Sequence, residues 1–246
     1  MVRLYSGPHS GDGKVVLGSA NTASCRASLL IEQQWYDEAM YLPKHFEETR
    51  TDILGGLIRD FPLATLVTHS PEGLEANHIP LYFHETENGP GVLRGHIARA
   101  NALSRYTGEG EVLAIFHGPQ AYVSPSWYPT KVETGKVVPT WNYAVVHAYG
   151  TLRIVDDPAW LRERLNELTA QSEAAFATPW AVSDAPDEYI AKLLHAIVGI
   201  ELTITRMTGK WKVSQNQPFA NRAGVADGLR ERGEEAMVNL VVTSSL

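Results

Sequence analysis

Short runs of alternating apolar and polar residues, separated by tight-turn sequences, dominate this chain and restrict it to antiparallel β architecture. "LATLVTH" (63–69), "LEANHIPLYFH" (74–84), "GVLRGHI" (91–97), "EVLAIFHG" (111–118) and "QAYVS" (120–124) each read as a strand. Ser70-Pro71-Glu72-Gly73 joins the first two as a tight turn. "NYAVVHAYGTLRIVDD" (142–157) is one long strand with a bulge or bend at Gly150, and "GIELTITRMTGKWKVS" (199–214) is another. Helical spacing of Phe46, Ile53, Leu54, Leu57 and Ile58 predicts a helix from Pro43 that stops at Phe61-Pro62. Asp157-Pro158 starts a second helix, residues 186–197 form a third, and the C-terminal stretch from Ala220 gives one or two more. About six antiparallel strands with helices gathered late in the chain predict a small β-barrel with helical additions, a mainly β (α+β) fold.

Several function classes drop out at this point. No βαβ alternation, no GxGxxG and no GxxxxGK[ST] occurs, which argues against the common dinucleotide and nucleoside-triphosphate folds. The formal charge is −7, so a broadly basic surface for gripping phosphate backbones is not expected. A single cysteine, Cys25, excludes an intramolecular disulfide framework and fits a reducing, cytoplasmic setting. Nine histidines show neither HxH nor HExxH spacing, so no metal site is predicted. No GxSxG elbow is present, and no paired carboxylates are spaced for acid–base work. No apolar run reaches the roughly 18 residues that span a bilayer. Residues 1–39, rich in Gly, Ser and Ala and without periodicity, read as a disordered extension, with a folded domain over 40–246 and a natural start at Met40.

Four segments carry chemistry. In "RGHIARANALSRY" (94–106) a strand runs into a helical turn whose free N–H groups, with Arg99, His96 and Asn101, suit phosphate oxygens; a capped turn with a solvated arginine is the competing reading. In "ANHIPLYF" (76–83), Asn77 and His78 interrupt an apolar strand and Pro80 removes a ladder donor. That pattern marks either a plain edge strand or a backbone beside a flat heteroaromatic ligand. "TGKWKVSQNQP" (208–218) offers Lys210, Lys212 and an amide-rich run that is either a solvated loop or a closure over an anionic aromatic ligand. "SPSWYPTKVETGKVVPTWNY" (124–143) is an aromatic-rich loop that must fold against something, with Lys131 and Lys136 expected in solvent.

Taken together, "PLATLVT", "NHIPLYF", "RGHIARAN", "AYVSPSWY", "VPTWNYAVVHAYG" and "KVSQNQP" resemble the PaiB-type family of FMN-binding negative transcriptional regulators, from about residue 40 onward. The resemblance implies an FMN-binding split β-barrel, a homodimer, and FMN in clefts between subunits. It implies "RGHIARAN" as the phosphate-binding turn with Arg99 foremost, and "NHIPLYF", with Asn77, His78 and Ile79, as the strand along the isoalloxazine. Lys212, Gln215, Asn216, Trp127 and Trp141 would close the site, with Trp127, Tyr128 and Trp141 either a lid over the ring or interface core. The family role is repression of protease- and sporulation-type genes. Two alternatives stay open: a flavin-dependent oxidoreductase, and a flavin store or sensor. Direct DNA binding has no visible motif, and no electron donor or substrate is named by these residues.

Overall fold

The computed structural model describes residues 40–71, 73–87, 89–108 and 110–244. Leu42–Leu246 packs as one compact unit. The expectation of a disordered extension over residues 1–39 lies outside the described residues.

Eight strands form one antiparallel sheet: β1 (Glu47–Glu48), β2 (Leu63–Ser70), β3 (Gly73–Pro80), β4 (Tyr82–His84), β5 (Val92–Ala98), β6 (Val112–Val123), β7 (Thr140–Val155) and β8 (Ile197–Lys212). Their order is β3-β2-β6-β7-β8-β5-β4, with β1 added beside β8. The β2–β3 hairpin pairs Leu63 with Pro80 through Ser70 with Gly73, so the expected turn is the observed one. The longest ladder joins β7 to β8, and its register shifts between Tyr149 and Gly150, where the bend was expected. A Cβ at Gly150 would run into the Thr203 carbonyl, so glycine lets the two backbones approach there.

Inward positions of the strands make the core. Leu66, Ala114, Phe116, Val146, Ala148, Leu93, Ile200 and Leu202 are fully buried at period two, as the pleat requires. Helix α1 (Thr51–Asp60) closes on them with Leu54, Leu57 and Ile58. The C-terminal helices α5 (Phe219–Glu231) and α6 (Glu235–Thr243) add Val225, Leu229, Met237, Val238 and Val241 to the same core. Between them in sequence come the short α2 (Thr130–Thr134) and a pair, α3 (Pro158–Glu173) and α4 (Asp187–Leu194). That pair gathers a separate small core of Leu161, Val182, Ile190 and Leu194. Asp157 caps α3 by accepting from the backbone N–H groups of Ala159 (2.8 Å) and Trp160 (3.3 Å), with Pro158 at the first helical position.

Three expectations are corrected. No single helix begins at Pro43. Residues 44–46 make a 3₁₀ turn, and Glu47–Glu48 form β1 against Gly209 and Lys210 before α1 starts at Thr51. The run 74–84 is two strands, broken at Leu81, whose N–H donates to the Pro62 carbonyl at 2.8 Å. The runs 111–118 and 120–124 are one strand, β6, with a bulge between His117 and Gln120 that absorbs Pro119. Each difference turns on pairing with residues remote in sequence, which local periodicity does not carry.

Candidate functional site

The two sets of sequence-selected residues fall on different parts of the barrel, and no hydrogen bond or ion pair among the described residues joins them. The first set lies around β3 and β5. Asn101 caps a 3₁₀ turn (Ala102–Arg105) by accepting from Leu103 N–H at 2.9 Å, and its amide donates to the Asn77 side chain at 3.0 Å. His78 faces Thr65 across the β2–β3 ladder at 3.2 Å, on the edge strand that Pro80 foretells. Ile79 points into the core. His96 is half-buried beside His84 and Arg94 under α3, and burial lowers its pKa. Arg99 is engaged: Nε donates to the His195 carbonyl (2.9 Å), Nη2 to the Ile197 carbonyl (3.1 Å), and both Nη atoms to Asp156 (2.7 and 2.6 Å). The Arg99 guanidinium in turn holds the Asp156 carboxyl below its usual range. Most of Arg99's five N–H groups are thereby spent on holding the end of β5 to β7 and β8.

The second set converges. The β6–β7 connection (residues 124–139), the start of β7, the end of β8 and the first turns of α5 enclose a cavity of about 230 Å³. Its walls carry Tyr128, Thr130, Lys136, Thr140, Asn142, Lys212, Ser214, Asn216, Gln217 and Asn221. There are two cations and no carboxylate. Lys212 donates to Thr140 Oγ1 and to the Trp141 carbonyl (2.7 Å), and burial, then the charge of Lys210, lowers its pKa. Burial also raises the Tyr128 phenol. Asn221, on α5, anchors the loop by accepting from Thr130 N (3.4 Å) and Thr130 Oγ1 (3.1 Å).

Ser214 gives this wall its shape. It sits at φ 66°, the one non-glycine residue in the left-handed region among the described residues. Such a conformation costs on the order of 1 kcal/mol and persists where surroundings impose it. Here Ser214 and the buried Asn142 exchange side-chain hydrogen bonds at 2.9 and 3.2 Å. Gln215 closes the same turn, accepting from Val213 N–H (2.8 Å) and donating to the Trp211 carbonyl. Gln215 therefore shapes the wall from behind, while Asn216 and Lys212 face the cavity.

The aromatic loop divides its work. Trp127 packs against α5, where a Cβ on Gly228 would overlap its indole, and Tyr128 is buried within the same subunit. Trp141 is 55% exposed and meets Tyr122 edge-on, with centroids 6.0 Å apart. Lys131 and Lys136 are both exposed as expected, and Lys136 also borders the cavity. Asn142, Thr130, Thr140 and Asn221 were not singled out by sequence reasoning, and Ser214 only as the start of the polar run after Val213. Asn142 alone carried a signal: it shares the inward face of Ala144, Val146 and Ala148, where a polar residue stands out.

Fold and cavity together define a split β-barrel with a helix-closed, cationic, amide-rich cavity, suited to an anionic ligand with many hydrogen-bonding groups. Residues 40–206 match the family model described as "Putative FMN-binding domain", and the chain belongs to that family. Family membership assigns FMN as the cofactor. The chain is 40% identical over 233 residues to an uncharacterized protein of Emericella nidulans, covering 80% of this chain and 93% of that one. It is 29% identical to the protease synthase and sporulation protein PAI 2 of Bacillus subtilis, over 78% of this chain and 89% of that one. A solved flavocytochrome of Azotobacter vinelandii shares the fold at a TM-score of 0.50 and 11% identity, covering 71% of this chain and 74% of that one. The cavity's donor set fits FMN, which carries a phosphate dianion and a polyol chain. Among the described residues no cluster of metal-ligating side chains occurs, and no helix is long and apolar enough to cross a membrane.

Proposed function

We propose that the protein holds FMN by its phosphate and ribityl chain in the cavity between the β6–β7 connection, β8 and α5. The observation that carries this reading is a donor-rich cavity with Lys136 and Lys212 on its walls and no carboxylate. In this reading the two ammonium groups neutralise the phosphate. Thr130, Thr140, Asn142 and Asn216 serve the ribityl hydroxyls. The volume of about 230 Å³ is below the ~300–1,000 Å³ of pockets that enclose a whole ligand of this size. The tricycle is therefore left outside the cavity walls; Trp141, which alternates with the cavity-lining Thr140 and Asn142 along β7, points to the other face of the sheet. Bound FMN supplies two-electron redox chemistry or a ligand-dependent signal.

A second placement puts the phosphate at the Arg99 turn, where Asn77, His78, His96 and Asn101 would assist. Its support is Arg99 itself, with the adjacent Asn77–Asn101 pair. It requires Arg99 to leave Asp156. A titration comparing FMN with riboflavin tests for a phosphate site of either kind, because such a site binds FMN more tightly and loses that preference in high salt. An FMN-specific loss in Lys212→Met but not in Arg99→Ala supports the cavity, and the reverse refutes it.

The biological role we propose is regulation of the PaiB type, by a cytoplasmic homodimer that represses protease- or sporulation-type genes. It is supported by the identity to the Bacillus subtilis PAI 2 protein. The alternative is a flavin-dependent oxidoreductase of the same barrel. A salt-sensitive, sequence-specific shift of operator DNA without turnover supports regulation. Consumption of NAD(P)H by the FMN-loaded protein without any shift supports the enzyme.

A further inference from the structure

A second cleft, of about 510 Å³, opens between α1 and α6, and shares no lining residue with the cationic cavity. Its floor is apolar: Ile53, Leu57, Trp211 and Leu240. Its volume lies within the ~300–1,000 Å³ range of small-molecule sites. Asp52 and Asp60 also line it, both on α1 and both exposed, and no cationic side chain does. Neither aspartate has a hydrogen-bond or ion-pair partner among the described residues; Arg50, just before α1, feels the charge of Asp52 but spends its guanidinium on Glu48 at 2.6 Å. Arg59, the adjacent cation on α1, is directed elsewhere, over the Phe83 ring and toward Glu85 at 3.5 Å.

The glycine pair within α1 adds an independent observation. Gly55 is required by packing, because a Cβ there would stand 2.7 Å from the Phe83 ring. Gly56 has no such reason: a Cβ there would meet nothing within 4 Å, and its backbone is ordinary helix. Glycine inside a helix costs roughly 0.5–1 kcal/mol relative to alanine. That cost secures nothing in the fold, and its one structural effect is to widen the cleft that Gly56 lines. From this cleft we infer a binding site for a small aromatic cation: a flat apolar body lies along Gly56 and over Trp211, and an ammonium group faces Asp52 or Asp60. The one-signed rim favours this over an aromatic anion of the same shape.

The test uses the FMN-loaded protein and two indoles of opposite charge, tryptamine and indole-3-acetate, titrated by calorimetry at low salt. Tryptamine is expected to bind roughly two- to fivefold more tightly than indole-3-acetate, the range that an exposed ion pair gives. The Asp52→Asn/Asp60→Asn variant should bring the two affinities together. Gly56→Leu fills the cleft and should abolish binding while leaving the flavin spectrum unchanged. Gly56→Ala should fold at least as well and bind with a loss of only a few-fold. Equal binding of both indoles, binding undiminished in Gly56→Leu, or no binding by calorimetry at millimolar tryptamine would each overturn the inference. So would tryptamine displacing FMN, since the cleft would then belong to the flavin site. A change in oligomeric state in Gly56→Leu would reassign the cleft to contact between copies and overturn it likewise.

Discussion

Replacing Lys212 with methionine is the sharpest perturbation of the proposed flavin site. Methionine keeps the apolar stem and removes only the ammonium, which reaches Thr140 and the Trp141 carbonyl at the cavity wall. A hydrogen bond between charged groups contributes about 1.5–3 kcal/mol. Lys212 is only partly buried and Lys136 remains, so solvent screening reduces the expected loss to about 1–2 kcal/mol. FMN affinity should therefore fall roughly 5- to 30-fold. Riboflavin, which has the same ring and polyol but no phosphate, should lose almost nothing. Quenching of flavin fluorescence on titration into the apoprotein measures both constants, and repeating it in high salt should narrow the wild-type preference for FMN. Equal losses for both flavins would mean that Lys212 shapes the cavity without meeting phosphate. An FMN-specific loss in Arg99→Ala, with none in Lys212→Met, would place the phosphate at the β5 turn and refute the cavity.

Three stability predictions follow from the scaffold around that site. Glu201 is 8% exposed at its side chain and bridges Arg94 (2.6 Å) and Arg153 (2.7 Å), so Glu201→Gln should cost about 1–3 kcal/mol in urea unfolding, discounted for the exposed Arg153. Burial alone would raise the Glu201 pKa, but hydrogen bonds from Arg94 and then Arg153 bring it below the ordinary 4.5. Its stabilisation is therefore complete above about pH 4.5 and is lost as pH falls through the lower folded value, a loss that the glutamine variant should not show. Gly55→Ala should destabilise by about 1–3 kcal/mol through the clash with Phe83, whereas Gly56→Ala should stabilise by about 0.5–1 kcal/mol; thermal melts showing the same sign for both would contradict the packing described. Asp157→Ala should cost about 0.5–2 kcal/mol through loss of the α3 cap, read in the same melts.

Much of the barrel was legible in the chain because strand alternation and turn chemistry are local. The hairpin at Ser70–Gly73 and the bend at Gly150 needed only neighbouring residues to be read. The β1 pairing was not legible, since nothing about Glu47 and Glu48 indicates Gly209 and Lys210 across the sheet. Pro119 misled for a related reason: a bulge absorbs it within β6, and bulges depend on the partner strand. The site followed the same division. Segments 124–143 and 208–218 stood out by composition and do converge, but which of their side chains face the cavity depends on the strand ends and on a helix contributed from residue 219 onward. Trp127 was legible as an aromatic but its packing was not: α5 approaches its backbone carbonyl at Gly224 and its indole at Gly228, residues remote from it in sequence.

The left-handed backbone at Ser214 restricts how this cavity can drift. Only glycine, asparagine and aspartate readily share that conformation with it, and glycine would strand the buried Asn142 without its partner. Lys136, by contrast, sits in the exposed stretch 131–136, where packing makes few demands, unlike the buried Tyr128 and the anchored Thr130 earlier in the same connection. Selection acting on ligand preference would thus find its freedom in the β6–β7 loop, while the turn after β8 stays a fixed reference point for every variant that keeps the fold.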